Sequence, residues 1–476
     1  MVHVHTSETA SENTAEVARS IGTSRSESCS ADKNLEGVAG IAATTLILTN
    51  HFQHLTGTFH PDLSTMIQAA PRQLRVIPID DRPTICHVIH ALGVGGAEVL
   101  VDQMIRRMQK EFRCIVAVLD EIGEIGTRLQ EDGFLVEHLH RQPGIDRGCA
   151  TRLRQFADRE GAVILHAHQC TPFFQAMLSR GLTGRRPVVF TEHGRHFPDA
   201  PSRKRAIVNR LLLKRHDRLF GCGAAVRQAL IDNEGLPESR VEVIYNGVDL
   251  KALSKPSAGA RERIREEFGY APTDFVAVLV ARLHELKDHQ TALKAVDEAR
   301  NRIPGLRLLL AGEGDQRTAI EQTIRQRGLE QTVTLAGTRK DIADLLSASD
   351  VFLMSSISEG IPLTVIEAMA ARRPVVSTAV GGLPELIEHG VSGMLAPSRD
   401  ASSLASSLIE LYQSPALRSQ MAEVAAGRAQ EKFSLQGMLN SYRDVYNDFL
   451  EATDLHPKAK PMKAAMTNRK KTGAHS

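Results

Sequence analysis

Glu359 and Glu367 form an E-x7-E pair around Gly360, Ile361, Pro362, Leu363 and Thr364. Pro362 suits the first turn of a helix, where a missing N–H costs little. Gly360 lets a ligand come close to the backbone. The free N–H groups around 361–364 and the helix dipole would together hold an anion such as a diphosphate. Glu359, just before the helix, would accept hydrogen bonds from sugar hydroxyls. Glu367, in its second turn, would accept them from a ribose. Taken alone, the pattern is common and is better read as a capping and a solvated glutamate flanking an ordinary helix.

Other residues give it company. Arg282 closes an apolar run, and Lys287 follows shortly after. Two cations at a strand's C-terminal end suit a diphosphate leaving group. Gly312-Glu313-Gly314 ends another strand, where ligands of open α/β sheets sit. His193, in Thr191-Glu192-His193-Gly194, stands at a third strand end. His166 and His168 alternate on one strand, so they share a face. With no third ligand near in sequence, packing or lining a cleft is expected of them rather than metal binding. The loop Gly93-Val94-Gly95-Gly96 opens a helix but lacks the third glycine of the dinucleotide fingerprint.

These residues need a scaffold that brings strand ends together. From Thr84 onward, short apolar runs alternate with amphipathic helical stretches, the rhythm of parallel sheets covered by helices. Strands are expected at Thr84–Ala91, Cys114–Leu119, Ala162–His168, Pro187–His193, Arg218–Cys222 and Val241–Tyr245. A second set is expected at Phe275–Ala281, Leu306–Ala311, Val333–Ala336, Val351–Met354 and Val375–Ser377. The fold class is therefore α/β, with two Rossmann-like doubly wound domains facing a cleft. The expected organisation is a disordered extension at 1–80, domains at 81–250 and 251–432, a helix at 433–455 packing back on the first domain, and a basic disordered tail at 456–476. Met66, close to the first strand, reads as an alternative start.

Composition excludes little but is consistent. The chain has 476 residues, 42% hydrophobic and 24% charged, with a formal net charge of +2. That balance gives no global signal for a nucleic-acid partner. The six cysteines lack C-x-x-C or zinc-finger spacing, so reduced, buried thiols and a cytoplasmic setting are expected. No tryptophan is present to stack on a sugar. The apolar stretch at 37–48 is too short to span a bilayer.

The motifs jointly resemble family 4 of the glycosyltransferases, which has the GT-B fold. The likeness runs from about residue 85 to 450. It includes His90 to Glu98, Thr191 to Gly194, Val243 to Asp249 (with Tyr245 where Pro is commoner), Arg282 with Lys287, Gly312 to Gly314, the Glu359/Glu367 pair, and Gly381 to Glu385. The run Thr191 to Asp199 is also similar to exopolysaccharide-type sugar transferases. The resemblance implies a retaining transferase with His193, Arg282, Lys287 and Glu359 as catalytic residues. Gly95, Gly96, Gly312, Gly314, Arg339, Ile361, Leu363, Thr364 and Glu367 would bind the donor, a UDP-sugar by the family's commonest usage. The acceptor would be a glycan or a lipid-linked sugar. With no D-x-D motif, Arg and Lys supply the positive charge, and no divalent metal or other cofactor is expected. The family picture names no protein nucleophile. A nucleotide-sugar epimerase on the same fold, or a non-catalytic nucleotide-sugar binder, are the competing readings.

The segment at 202–215 is basic and amphipathic. It could lie on an anionic membrane surface and bring a lipid-linked acceptor to the cleft. The plainer expectation is a solvated helix whose Leu and Ile face the core.

Overall fold

A computed structural model describes residues 80–181, 183–194 and 199–452. The chain divides into Met1–Ile79 and Asp80–Ser476. The N-terminal extension up to residue 79, Met66 and the basic tail lie outside the described residues.

Two all-parallel sheets organise the rest. The first has β1 (Thr84–Ala91), β2 (Arg113–Glu121), β3 (Val136–His138), β4 (Ala162–His168), β5 (Val188–Glu192), β6 (Arg218–Gly221) and β7 (Val241–Val243), in the order β3-β2-β1-β4-β5-β6-β7. The second has β8 (Phe275–Val280), β9 (Leu306–Ala311), β10 (Val333–Gly337), β11 (Val351–Met354), β12 (Val375–Thr378) and β13 (Gly393–Ala396), in the order β10-β9-β8-β11-β12-β13. Helices cover both faces, so the central strands are apolar throughout rather than alternating; every residue of β8, FVAVLV, is buried. In each sheet the chain starts in the middle, winds out one way, then returns and winds out the other. The two switch points lie between β1 and β4 and between β8 and β11.

β3 and β13 were not legible in the sequence. They are edge strands of three and four residues. Strands Thr84–Ala91, Ala162–His168, Leu306–Ala311 and Val351–Met354 have the expected bounds, and the ends of the others lie within two residues of expectation.

The lobes share the C-terminal region. Helix Pro415–Lys432 places Ala425 and Ala429 in the core of the second lobe. Helix Leu435–Ala452 instead buries Leu435, Met438, Leu439, Tyr442, Val445, Tyr446 and Leu450 among core residues of the first. The two passages of the chain between lobes run side by side. Val248 N–H donates to the Phe433 carbonyl (3.1 Å), and Leu435 N–H donates to the Val248 carbonyl (2.9 Å). Gly247 lies against the Ser434 backbone, leaving no space for a Cβ.

Helix Arg203–Leu212 departs from the plainer expectation. Leu212 and Leu213 reach the core, but Ile207 and Leu211 are 60% and 70% exposed. They sit one turn apart on the same face, with Arg203, Lys204 and Arg210 exposed on the same helix.

Candidate functional site

The second lobe's switch point brings Lys287 and Glu359 together, with Arg282 just after β8. Arg282 and Lys287 follow β8, and Glu359 follows β11, its neighbour in the sheet. Lys287 Nζ donates to Glu359 Oε1 at 2.6 Å, and Ser356 Oγ donates to the same oxygen at 2.5 Å. The Glu359 side chain is only 7% exposed. Its Oε2 has no such partner among the described residues and can receive a hydroxyl. The ammonium has three protons, so holding Glu359 leaves capacity for a phosphate. Ser355 Oγ ties the two loops by donating to the Lys287 and Asp288 carbonyls (3.0 and 2.9 Å), and Ile357 N–H donates to the Leu286 carbonyl at 2.9 Å. Arg282 is exposed and makes no ion pair among the described residues; its charge is felt by Glu98, in the first lobe.

Helix Leu363–Ala370 begins beside this pair, with Pro362 at its N-cap. The structure narrows the expected set of amides. Ile361 N–H faces the buried Cys222 thiol, Pro362 has no N–H, and Val365 and Ile366 N–H donate to the Pro362 carbonyl at 3.2 and 3.4 Å. Leu363 and Thr364 remain as first-turn donors with no acceptor in their own helix. The Ile361 side chain is buried, and Leu363 packs against both lobes, its Cδ1 4.0 Å from where a Cβ on Gly96 would stand. Glu367 stands in the second turn, and burial pushes its carboxyl up to about 7.

Gly312 and Gly314 have a scaffolding role here. Their backbones press on the Ala281 and Leu283 carbonyls so closely that a Cβ would overlap. They seat the segment that carries Arg282, helped by Leu283 N–H donating to the Glu313 carbonyl at 2.8 Å. The Arg339 guanidinium is not brought to the Lys287–Glu359 pair. It is engaged by Asp341 at 2.7 Å and by Glu267, over the Phe268 ring.

The first lobe supplies the opposing wall. A Cβ on Gly360 would stand 2.6 Å from the His193 carbonyl oxygen and 3.2 Å from the Gly194 Cα, so only glycine lets the loops meet. His193 Nε2 is 3.0 Å from His168 Nδ1, and burial pushes the His193 ring down to about 4, keeping it neutral. Gly95 caps helix Gly96–Met108 in extended backbone. The Glu98 side chain folds back over Gly95; burial raises its carboxyl while the Arg282 charge opposes that rise. His87, His166 and His168 are the one buried cluster of three potential metal ligands among the described residues. Both nitrogens of His166 are already partnered, by Tyr446 OH (2.6 Å) and Thr191 Oγ1 (2.9 Å), which favours the packing role expected for this strand.

Comparisons with known proteins give the family. Residues 94–252 match the family profile described as Glycosyltransferase Family 4, and residues 260–428 match Glycosyl transferases group 1. The chain is a family 4 glycosyltransferase. It is 28% identical over 316 residues to N-acetyl-alpha-D-glucosaminyl L-malate synthase of Bacillus anthracis, covering 65% of this chain and 80% of that protein. It is 27% identical over 306 residues to the putative glycosyltransferase EpsD of Bacillus subtilis, covering 63% and 80%. Its fold matches the crystal structure of Anabaena Alr3699/HepE in complex with UDP, with a TM-score of 0.68, 23% identity, and coverage of 77% of this chain and 100% of that one. The two lobes are thus those of a GT-B glycosyltransferase.

Three residues that shape the transferase's cleft had no assigned role in the sequence. Ser356 orients Glu359. Asn246 reaches across the lobes, its Nδ2 donating to the Ile361 carbonyl at 3.1 Å. The Glu385 carboxylate accepts from the N–H groups of Ala224 (2.7 Å) and Ala225 (2.8 Å), at the start of a first-lobe helix. Asn246 and Glu385 belong to the motifs Val243 to Asp249 and Gly381 to Glu385, but their partners are distant in sequence.

Proposed function

We propose that this glycosyltransferase moves a hexose from a UDP-sugar to a glycan or lipid-linked acceptor, with retention and without a divalent metal. The observation that carries the reading is the Lys287–Glu359 pair at a switch point, beside a helix start with open N–H groups. Arg282, Lys287 and the Leu363 and Thr364 amides would hold the diphosphate and stabilise its charge as the glycosidic bond breaks. Glu359 Oε2 would take hydroxyls of the transferred sugar, and Glu367 those of the ribose. UDP, as carrier, follows the family's usage and the UDP complex of the structurally similar Anabaena protein.

Retention rests on where the carboxylates are. Glu359 is held by Lys287 and Ser356, an arrangement for grasping hydroxyls rather than for attack. Same-face attack on the anomeric carbon, assisted by the leaving phosphate, needs no protein nucleophile. The fixed cations do the work a metal would do. The test is a panel of nucleotide sugars with polyprenyl-linked and glycan acceptors, run with and without excess EDTA, with the anomer read by NMR. Retained product formed in EDTA supports the reading. Inverted product, loss of turnover restored by Mn or Mg, or epimerised free sugar without transfer would each overturn a stated part of it.

The exposed Ile207 and Leu211, on a helix bearing Arg203, Lys204 and Arg210, suit the surface of an anionic membrane. That placement would deliver a lipid-linked acceptor near β5, whose end carries His193. Among the described residues, no helix is long and apolar enough to cross a membrane.

A further inference from the structure

Helix Leu363–Ala370 has its donor amides at one end and a cavity of about 190 Å³ at the other. The cavity walls include Leu253 and Ser254, just past the crossing at Val248, Ala343 and Ser347 of helix Ile342–Ala348, and the stretch from Ala370 to Arg373. Ser254 and Pro256 line it and are exposed, so it opens to solvent. A cavity of roughly 150 Å³ already admits benzene, so a small metabolite fits.

Arg261, Arg265 and Arg418 stand near Arg373, and all three are engaged. Arg261 donates to the Ser347 and Ser349 carbonyls (2.9 and 3.2 Å) and to Asp350 Oδ1 (2.8 Å). Arg265 donates to Asp350 Oδ2 at 2.9 Å and to the Ala348 carbonyl at 3.0 Å. Arg418 donates to the Leu411 carbonyl at 2.8 Å and lies over the Phe275 ring. The Arg373 side chain has neither a hydrogen bond nor an ion pair among the described residues, and its Nε is buried. Asp350 is no counterion for it, because Arg261, Arg265 and the Val276 N–H (2.9 Å) already occupy that carboxylate. Burial holds the Arg373 guanidinium below its ordinary range, the Arg261 charge adds to the effect, and Asp350 opposes it. A helix C-terminus favours a cation, but this guanidinium donates to none of the helix's carbonyls. A desolvated cation without a partner costs stability, and an anion from outside the chain would relieve that cost.

The rest of the wall describes the body of such an anion. Ser347 Oγ donates to the Asp344 carbonyl (2.8 Å), and Ser254 Oγ donates to the Lys251 carbonyl (3.1 Å). Both hydroxyl protons are thereby committed, and the oxygens keep lone pairs that accept. Ala343, Ala370 and Ala371 add small apolar surface. We propose that this cavity binds a small phosphate monoester bearing hydroxyl groups, with its phosphate on Arg373 and its hydroxyls on Ser254 and Ser347. The planar fork of arginine matches two phosphate oxygens at once. The bound ester ties the chain just past Val248 to the helix whose first turn presents Leu363 and Thr364. The cavity shares no residue with the proposed donor site, so its occupant is an additional ligand, and the inference does not rest on the transferase reading.

The test titrates the full chain by calorimetry at low salt with glucose 6-phosphate, ribose 5-phosphate, glycerol 3-phosphate, inorganic phosphate and glucose. At least one ester should bind, more than about threefold tighter than inorganic phosphate, and glucose should not. Saturating UDP should leave that binding in place. Arg373→Met keeps the apolar stem and removes the charge. It should weaken the ester about tenfold or more without lowering the melting temperature, because the guanidinium has no protein partner to lose. Ser347→Ala should weaken the ester and spare inorganic phosphate. Binding by none of the esters overturns the proposal. So does displacement by UDP, or a loss in Arg282→Ala equal to that in Arg373→Met, since either places the ester in the donor cleft. A lower melting temperature in Arg373→Met with ester binding unchanged would make Arg373 structural and also overturn it.

Discussion

Glu385 and Ala224 belong to different lobes, yet the Glu385 carboxylate caps the helix that Ala224 begins, at 2.7 Å, with Ala225 N–H bound to its second oxygen at 2.8 Å. A charged acceptor at a helix N-terminus satisfies orphan N–H groups and the helix dipole together. The neighbouring Gly223 leaves space for the contact; a Cβ there would stand 2.8 Å from the Ile361 side chain and 3.1 Å from Glu385 Oε1. Glu385→Ala removes this cap and should cost about 1–2 kcal/mol. The expected readouts are a melting temperature lower by about 2–4 °C and a larger radius of gyration in solution scattering. Unchanged scattering would show that other contacts hold the lobes together.

Arg282 separates chemistry from stability. It is exposed and makes no ion pair among the described residues, so Arg282→Ala should leave the melting temperature within about 1 °C, as surface changes do. Turnover should fall more than about tenfold, since a charge stabilising a leaving diphosphate contributes more than about 1.4 kcal/mol. Lys287→Ala should lose at least as much activity and also destabilise the protein, because it strips a mostly buried Glu359 of its cation. Near-normal kcat in both variants would remove these residues from the site.

Glu367 gives a pH signature. Burial raises its carboxyl from an ordinary value of 4.5 to about 7. A raised carboxyl binds protons more tightly folded than unfolded, so it opposes folding increasingly as pH rises from 4.5 through about 7. Ribose hydroxyls would donate to the ionised form, so nucleotide affinity should rise between pH 6 and 8, with proton release on binding. Calorimetry of UDP binding across that range checks this, and Glu367→Gln should flatten the dependence. An identical slope in the Gln variant would assign the titration to another group.

The exposed face of helix Arg203–Leu212 predicts a lipid dependence. The parent should sediment with vesicles containing phosphatidylglycerol and not with neutral ones, and salt should weaken the binding. Replacing Ile207 and Leu211 together by Ser should lower vesicle binding about tenfold or more by removing buried apolar area, with soluble-acceptor turnover unchanged. Equal binding by parent and variant would leave this face without a membrane role.

The sequence by itself determined the α/β class, the two sheets, and most strands, because parallel strands buried on both faces read as short apolar runs between helical periods. It also singled out Arg282, Lys287, Glu359 and Glu367 as candidates, from residue type and local spacing alone. Only the tertiary structure decided which of these meet. It paired Lys287 with Glu359, assigned Gly312 and Gly314 to backbone packing, engaged Arg339 with Glu267 and Asp341, turned Ile207 and Leu211 outward, and set His168 beside His193. Those outcomes depend on contacts between residues far apart in the chain, and no local spacing encodes them. The edge strands β3 and β13 escaped because VEH and GMLA lack a longer apolar run such as the one that marked the equally short β7 within Val241–Tyr245.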